Sequence, residues 1–398
     1  MANLADRIGR IQPSATIAVS TLAAELKAQG KDIINLGSGE PDFDTPQHIN
    51  DAAAAAMAAG QTRYTPVPGT VELREAVCRK LKRENDLDFK PADIVVSTGA
   101  KQAIMNLIQC VVDHGDEVVI IAPCWVSYPD MTAFCGGVAV PVLASADADY
   151  RISPEQLDAA MSAKTRLVML NSPSNPSGAV YSRQQLADLG EVIAKYPNAI
   201  VCSDDIYEHI TYEQDKACTF ASANPSLADR TVVINGVSKA FAMTGWRIGY
   251  SASTPELAKA MSKVQSQTSS NACSIAQAAA QAALDGGLDC IKPMKEAFAA
   301  RRARVKQALA GIEGVACPPI DGAFYAFSDA SAAIKRLHAN KKIEAADDKQ
   351  LCRYLLEKVG VAAVPGTPFC SPGAFRISFA AADDMVDSAL DRITSALS

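Results

Sequence analysis

Residues 230–250 read RTVVINGVSKAFAMTGWRIGY. The run TVVIN is continuous in apolar and β-branched side chains and lacks the alternation of a half-exposed strand. Such a run marks a strand covered on both faces, as in a parallel sheet flanked by helices. It stops at a small-residue turn that carries Lys239. Working outward, four more runs repeat the pattern: DIVVS (93–97), DEVVIIA (116–122), TRLVML (165–170) and NAIVCS (198–203). Helical patterns lie between them, among them KQAIMNLIQCVV (101–112) and SRQQLADLGEVIAKY (182–196). This alternation predicts an α/β domain built on a mostly parallel central sheet.

The C-terminal part differs. A charged helical pattern (295–312) leads to GAFYAFSDA (322–330), a helix-like stretch (348–359), VAAVPG (361–366), AFRISFA (374–380) and a last helix. The mixed order predicts a smaller α+β domain. The first 45 residues, with the Pro-Asp turn of LGSGEPDFDTP (36–46), are expected to join it. The expected division is 46–285 for the large domain and 1–45 with 286–398 for the small one. Two domains suit 398 residues, on a prior of ~150 residues each.

Composition removes several function classes. Hydrophobic residues make up 48% and charged residues 21%, as in a soluble globular protein. A net charge of −6 is not the basic footprint of a nucleic-acid binder. Charges interrupt the stretch MANLADRIGRIQPSATIAVS early, so no signal peptide is expected. The most apolar stretches, such as 133–146, are too short to span a bilayer. Eleven cysteines are scattered without a C-x-x-C pair, which reads as reduced thiols in a cytoplasmic protein. Neither a disulfide framework nor a metal site is expected.

In parallel α/β sheets, ligands bind beyond the carboxyl ends of the strands. Five such ends carry unusual residues. After DIVVS, Thr98-Gly99-Ala100-Lys101 opens a helix, either as a plain tight turn or as an anion cradle of free N–H groups. After DEVVIIA, PCWVSYPD (123–130) places Trp125 at a loop mouth, as core filler or as a face for an aromatic ligand. After TRLVML, the two X-Pro bonds of NSPSNPSG (171–178) make a rigid turn that can hold Asn175 in one pose. After NAIVCS come Asp204, Asp205 and Tyr207. A carboxylate ending a buried strand needs either a helix cap to serve or a cationic partner. After RTVVIN come Ser238 and Lys239, with Arg247 eight residues on. Lys239 is either a snorkelling surface lysine or an amine with a depressed pKa suited to Schiff-base chemistry. Arg247 can grip a phosphate with two bonds. Together these are the parts that a phosphorylated, aromatic, cationic cofactor requires, and pyridoxal 5′-phosphate (PLP) fits each of them.

At these residues the sequence resembles a known family. NSPSNPSG, SDDIYEHI (203–210) and SKAFAMTGWRIGY (238–250) are similar to the signatures of class I aminotransferases, the fold-type I PLP-dependent transferases. PSATIAV (13–19), LGSGEPDFDTP and FRISFA (375–380) fit as well, so the resemblance covers essentially the whole chain. It is most similar to the bacterial aspartate aminotransferase branch. The resemblance implies that Lys239 holds the cofactor covalently and then acts as the general base. Asp204 would bond the ring nitrogen, and Tyr207 and Asn175 the phenolic oxygen. Trp125 would stack on the ring, Gly99, Ala100 and Arg247 would hold the phosphate, and Ser238 would also bind the cofactor. Tyr64, in RYTPVPG (63–69), would reach the phosphate of a neighbouring subunit, which implies a homodimer with shared sites. Arg376 would grip the substrate α-carboxylate with Gly39. Lys101 would meet the side-chain carboxylate of an acidic substrate, or serve as another phosphate contact. Trp125 and Asn175 would also touch substrate.

The implied activity moves the amino group of an L-amino acid, aspartate first, to 2-oxoglutarate by a ping-pong mechanism. Other PLP chemistry at Cα, an aromatic or prephenate aminotransferase, and a non-catalytic PLP sensor are the alternatives. Four positions depart from common members of the family. Cys124 stands for a tyrosine, Asp205 for a glutamate, Gly236 for a serine and Gln12 for a lysine at the mouth of the site.

Overall fold

The computed structural model describes residues 4–213 and 217–398. Residues 1–3 of the N-terminal stretch read for a signal peptide lie outside them. In chain order the strands are β1 (Ile34–Asn35), β2 (Ile94–Ser97), β3 (Glu117–Ala122), β4 (Val138–Leu143), β5 (Thr165–Asn171) and β6 (Ile200–Asp204). They continue with β7 (Thr231–Gly236), β8 (Gly249–Ala252), β9 (Tyr325–Asp329), β10 (Val361–Ala362), β11 (Val364–Pro365) and β12 (Ala374–Ser378).

Seven strands form one sheet in the order β2-β8-β7-β6-β5-β3-β4. All five apolar runs are strands of it. The pairings of β3 with β4 and β5, of β5 with β6, and of β6 with β7 are parallel. β8 alone runs antiparallel, between β7 and β2. The sequence reading names no strand there, because GYSA (249–252) has no β-branched side chain to signal one. Gly236 faces Gly249 in this pairing. A Cβ on Gly236 would lie 2.8 Å from the Ile248 carbonyl oxygen, so the serine of other family members has no room here. Pro141 is accommodated because β4 is an edge strand.

Helices cover both faces. On one, Ala100–Val111 and Pro255–Thr268 bury Ile104, Leu107, Ala258 and Met261 against β3, β5 and β7. On the other, Pro154–Ala160 and Arg183–Ala194 bury Leu157, Leu186 and Leu189. The helix Arg183–Ala194 starts where the sequence signals it. Ser182 accepts from the Gln185 N–H and Gln185 returns a bond to the Ser182 N–H, so two otherwise unpaired donors are satisfied.

The remaining strands form two small sheets. β11-β12-β9 is antiparallel, and β1 pairs with β10 in parallel, Ile34 opposite Val361. The long helix Lys292–Ala310 turns Met294, Phe298, Arg301, Val305 and Leu309 to one buried face. Arg301 is paired there with Asp42 at 2.7 Å and with Asp383 at 2.6 Å. That bridge ties the N-terminal turn 36–46 to the last helix, Asp383–Leu397. The stretch 348–359 is helical as read, but its last turn, Leu355–Val359, widens to π geometry before Gly360 ends it at φ 76°. Among the described residues no helix is long and apolar enough to cross a membrane.

Candidate active site

β2, β3, β5, β6 and β7 all point the same way, so their carboxyl ends lie along one edge of the sheet. A cavity opens at that edge. Ala100, Trp125, Asn175, Asp204, Tyr207, Ser238, Lys239 and Arg247 line it from the large sheet's loops. Gly39 and Arg376 close it from the small sheets' side, and Lys101 borders it too. Two nominated residues do not line it. Gly99 stands directly behind Arg247. Tyr64 is 92% exposed, in a loop pinned by Ser274 to the Gln61 carbonyl and by Gln277 to Thr65.

One end of the cavity is built for an anion. Gly99 caps the helix Ala100–Val111 at φ 83°, a conformation that favours glycine. A Cβ on Gly99 would collide with the Arg247 guanidinium, and one on Gly249 with the Ala100 N–H. The two glycines therefore let Arg247 and a helix N-terminus share one small space. Arg247 is exposed there and held by the Thr244 carbonyl at 3.0 Å. Free N–H groups and a guanidinium together suit a phosphate.

Lys239 lies across the floor. Its Nζ donates to the Gly39 carbonyl at 2.6 Å. Burial pushes its pKa down to about 8; Glu40 opposes this, and Arg247 adds to it. Asp204 sits at the end of β6, and burial raises its pKa to about 6 against bonds from the Tyr128 hydroxyl at 2.5 Å and the Ile206 N–H at 3.3 Å. Asn171 donates to the Asp204 carbonyl and accepts from the Asn175 N–H, both at 2.8 Å. It thus locks the β5 and β6 loops together. Ser172-Pro173 and Asn175-Pro176 are both cis. The Tyr207 hydroxyl shares a 2.9 Å bond with Tyr325.

Arg376 is fully buried, on β12. It donates to Asn175 Oδ1 at 2.8 Å and to the Gly37 carbonyl at 2.6 Å, and its Nε has no partner among the described residues. The rings of Tyr325 and Phe369 lie 4.5 and 5.1 Å from it. No carboxylate among the described residues pairs with it, so a buried cation stands ready for an anion. Lys101 rests over the Trp125 ring at 4.8 Å. Partial burial, then Arg247, lower its pKa.

Sequence reasoning gave no role to Tyr128, Asn171 or Tyr325, whose polar atoms hold the nominated residues in place. All three lie in quoted stretches, but a tyrosine in an apolar run reads as core. Of the departures, Asp205 is buried beside Ser203, and burial raises its pKa well above the carboxylate range. Gln12 borders an adjoining hollow with Lys101 and Arg247. Behind the wall, Glu208 is held by Lys80, by Asn85 at 2.7 Å and by Asn235 at 2.6 Å. Glu84, Glu208 and His209 are close enough to share a metal ion, but the Lys80 ammonium already sits among them.

The model of the family described as aminotransferase class I and II matches residues 31–393. The aspartate/prephenate aminotransferase of Nitrosomonas europaea is 49% identical over 99% of this chain and 100% of its own length. The aspartate aminotransferase of Bacillus subtilis is 43% identical over 98% of each. Among solved structures, the aspartate aminotransferase from Rhizobium meliloti superposes with a TM-score of 0.93 at 42% identity, covering 100% of this chain and 99% of that one. The Thermus thermophilus enzyme with maleate gives 0.92 at 38%, covering 99% and 100%. With Lys239, Asp204 and Arg247 brought to one edge of a mostly parallel sheet, the chain belongs to the class I and II aminotransferases and is a PLP-dependent enzyme acting on amino and 2-oxo acids.

Proposed function

We propose that the chain is an aspartate aminotransferase that passes the amino group of L-aspartate to 2-oxoglutarate. The observation that carries this reading is Arg376, a buried guanidinium whose Nε is unpaired and which has no carboxylate partner among the described residues, facing the same cavity as Lys239. A substrate α-carboxylate supplies the missing anion. Lys101, at the rim, offers a second cation to a side-chain carboxylate. The related Thermus enzyme was solved with maleate, a dicarboxylate.

The residues fit PLP. Gly99, Ala100, Ser238 and Arg247 would hold its phosphate, and Trp125 would lie against its ring. Asp204 would hold its ring nitrogen, and Asn175 and Tyr207 its phenolic oxygen. When bound, the cofactor withdraws electrons from the substrate Cα and so acidifies its C–H bond. The chain's residues do the rest. A pKa of about 8 leaves roughly a tenth of Lys239 as neutral amine at pH 7 and about half at pH 8, a form that would hold the cofactor and could take the Cα proton. The Asp204 carboxylate, fixed by Tyr128, keeps a proton on the group it faces. Arg376 and Asn175 orient the substrate so that its Cα–H points at Lys239 Nζ. The first oxo acid leaves before the second enters, which makes the kinetics ping-pong.

Tyr64, exposed on a pinned loop, supports a homodimer in which it reaches the partner's phosphate site. The pairing of β1 with β10 supports the division into 46–285 and 1–45 with 286–398. The scattered free cysteines support a cytoplasmic location. The name of the Nitrosomonas relative favours prephenate as a second acceptor. Purified enzyme given aspartate and 2-oxoglutarate should yield oxaloacetate and glutamate. Turnover of aromatic amino acids or alanine but not aspartate would overturn the reading.

A further inference from the structure

Two cysteines 246 positions apart, Cys124 and Cys370, meet beside the cavity with their sulfurs 4.0 Å apart. Cys124 follows β3 and directly precedes Trp125; Cys370 lies in the loop between β11 and β12 and directly follows Phe369. The Cys124 N–H donates to the Phe369 carbonyl at 3.0 Å, so the backbones are joined where the sulfurs face each other. Cys124 is buried and Cys370 half-buried. We propose that Cys124 and Cys370 form a reversible disulfide on exposure to a small-molecule disulfide, and that this bond lowers turnover by displacing Trp125 and Phe369.

Cys370 is the sulfur that reacts first. It is the more accessible of the two, and the bond it receives from the Cys124 thiol holds its pKa below the usual thiol range. The same bond, with burial, raises that of Cys124. Cys370 thiolate attacks one sulfur of the small disulfide; that S–S bond breaks and one small thiolate leaves. Cys124 then loses its proton and attacks the Cys370 sulfur, expelling the second small thiol. Two protein thiols are oxidised and one disulfide is reduced to two thiols.

A disulfide bond is about 2.05 Å long, so bond formation closes roughly 2 Å between the two sulfurs. That movement pulls on neighbours on both sides. Trp125 borders the cavity and carries Lys101 on its ring. Phe369 stands 5.1 Å from the Arg376 guanidinium. A misplacement of about 1 Å in such positioning groups can cost ~100-fold in rate.

The test treats the PLP-loaded enzyme with oxidised glutathione, then maps disulfides by mass spectrometry under non-reducing digestion and measures transamination in parallel. The expected result is a linked pair of peptides containing Cys124 and Cys370, a loss of two free thiols, and turnover lowered by roughly tenfold or more. Dithiothreitol should restore both, and Cys370→Ser should keep its turnover under the oxidant. No linked pair, a bond between other cysteines, full turnover of the linked enzyme, or equal sensitivity of Cys370→Ser overturns the proposal. The peptide map does not depend on which amino acid is the donor.

Discussion

Arg376 Nη1 donates to Asn175 Oδ1 across 2.8 Å, a bond between residues 201 positions apart. It joins β12 of a small sheet to the loop after β5 of the large one. The guanidinium's remaining capacity is left for ligand.

Removing this cation should cripple every substrate that carries an α-carboxylate. Losing one partner of a buried charged pair costs about 2–5 kcal/mol, or roughly 30- to 5000-fold. Arg376→Ala should lower kcat/KM by that order for aspartate and for uncharged amino acids alike, in half-reaction kinetics followed by cofactor absorbance. A loss confined to aspartate would assign Arg376 to the side-chain carboxylate instead.

Lys101 should show the opposite pattern. A hydrogen bond to a charged group is worth about 1.5–3 kcal/mol. Lys101→Gln should therefore reduce kcat/KM for aspartate by about tenfold or more while changing that for alanine little. Equal losses for both, with weakened cofactor binding, would make Lys101 a phosphate contact.

The depressed pKa of Lys239, about 8, sets a pH dependence. The attacking form is the neutral amine, which gains population as pH rises through that value. The rate at which the cofactor-free chain captures PLP should climb between pH 7 and 8 and level off above about 9, whereas an unperturbed lysine would keep climbing past ~10. Stopped-flow absorbance across this range measures it.

The network behind the wall contributes to stability. Burial works against the charge on Glu208, but Lys80 and His209 overcome it and bring its pKa down to about 2. A lowered carboxylate pKa stabilises the fold fully above the unfolded value of ~4.3, and that contribution is lost as pH falls towards about 2. Urea midpoints should thus decline from pH 5 to 3. Glu208→Gln should lose about 3–5 kcal/mol at pH 7 and decline less on acidification.

Much of this site is legible in the sequence because buried parallel strands announce themselves as continuous apolar runs. Asp204, Lys239 and Asn175 are then conspicuous as polar residues at the ends of such runs. Arg376 stands out as a cation between aromatics. What stays hidden depends on long-range approach. Tyr128 reaches Asp204 across 76 positions, and Tyr325 reaches Tyr207 across 118. Nothing local separates those tyrosines from core. β8 is hidden for another reason. Its place between β7 and β2 follows from the close approach of Gly236 and Gly249, a matter of missing side chains.

The central claim is that Lys239 is the residue that holds the cofactor. Borohydride reduction of the PLP-loaded enzyme, followed by peptide mass mapping, tests it directly. The label should appear on the peptide containing Lys239; a label on Lys101, or no labelled lysine at all, would contradict the account.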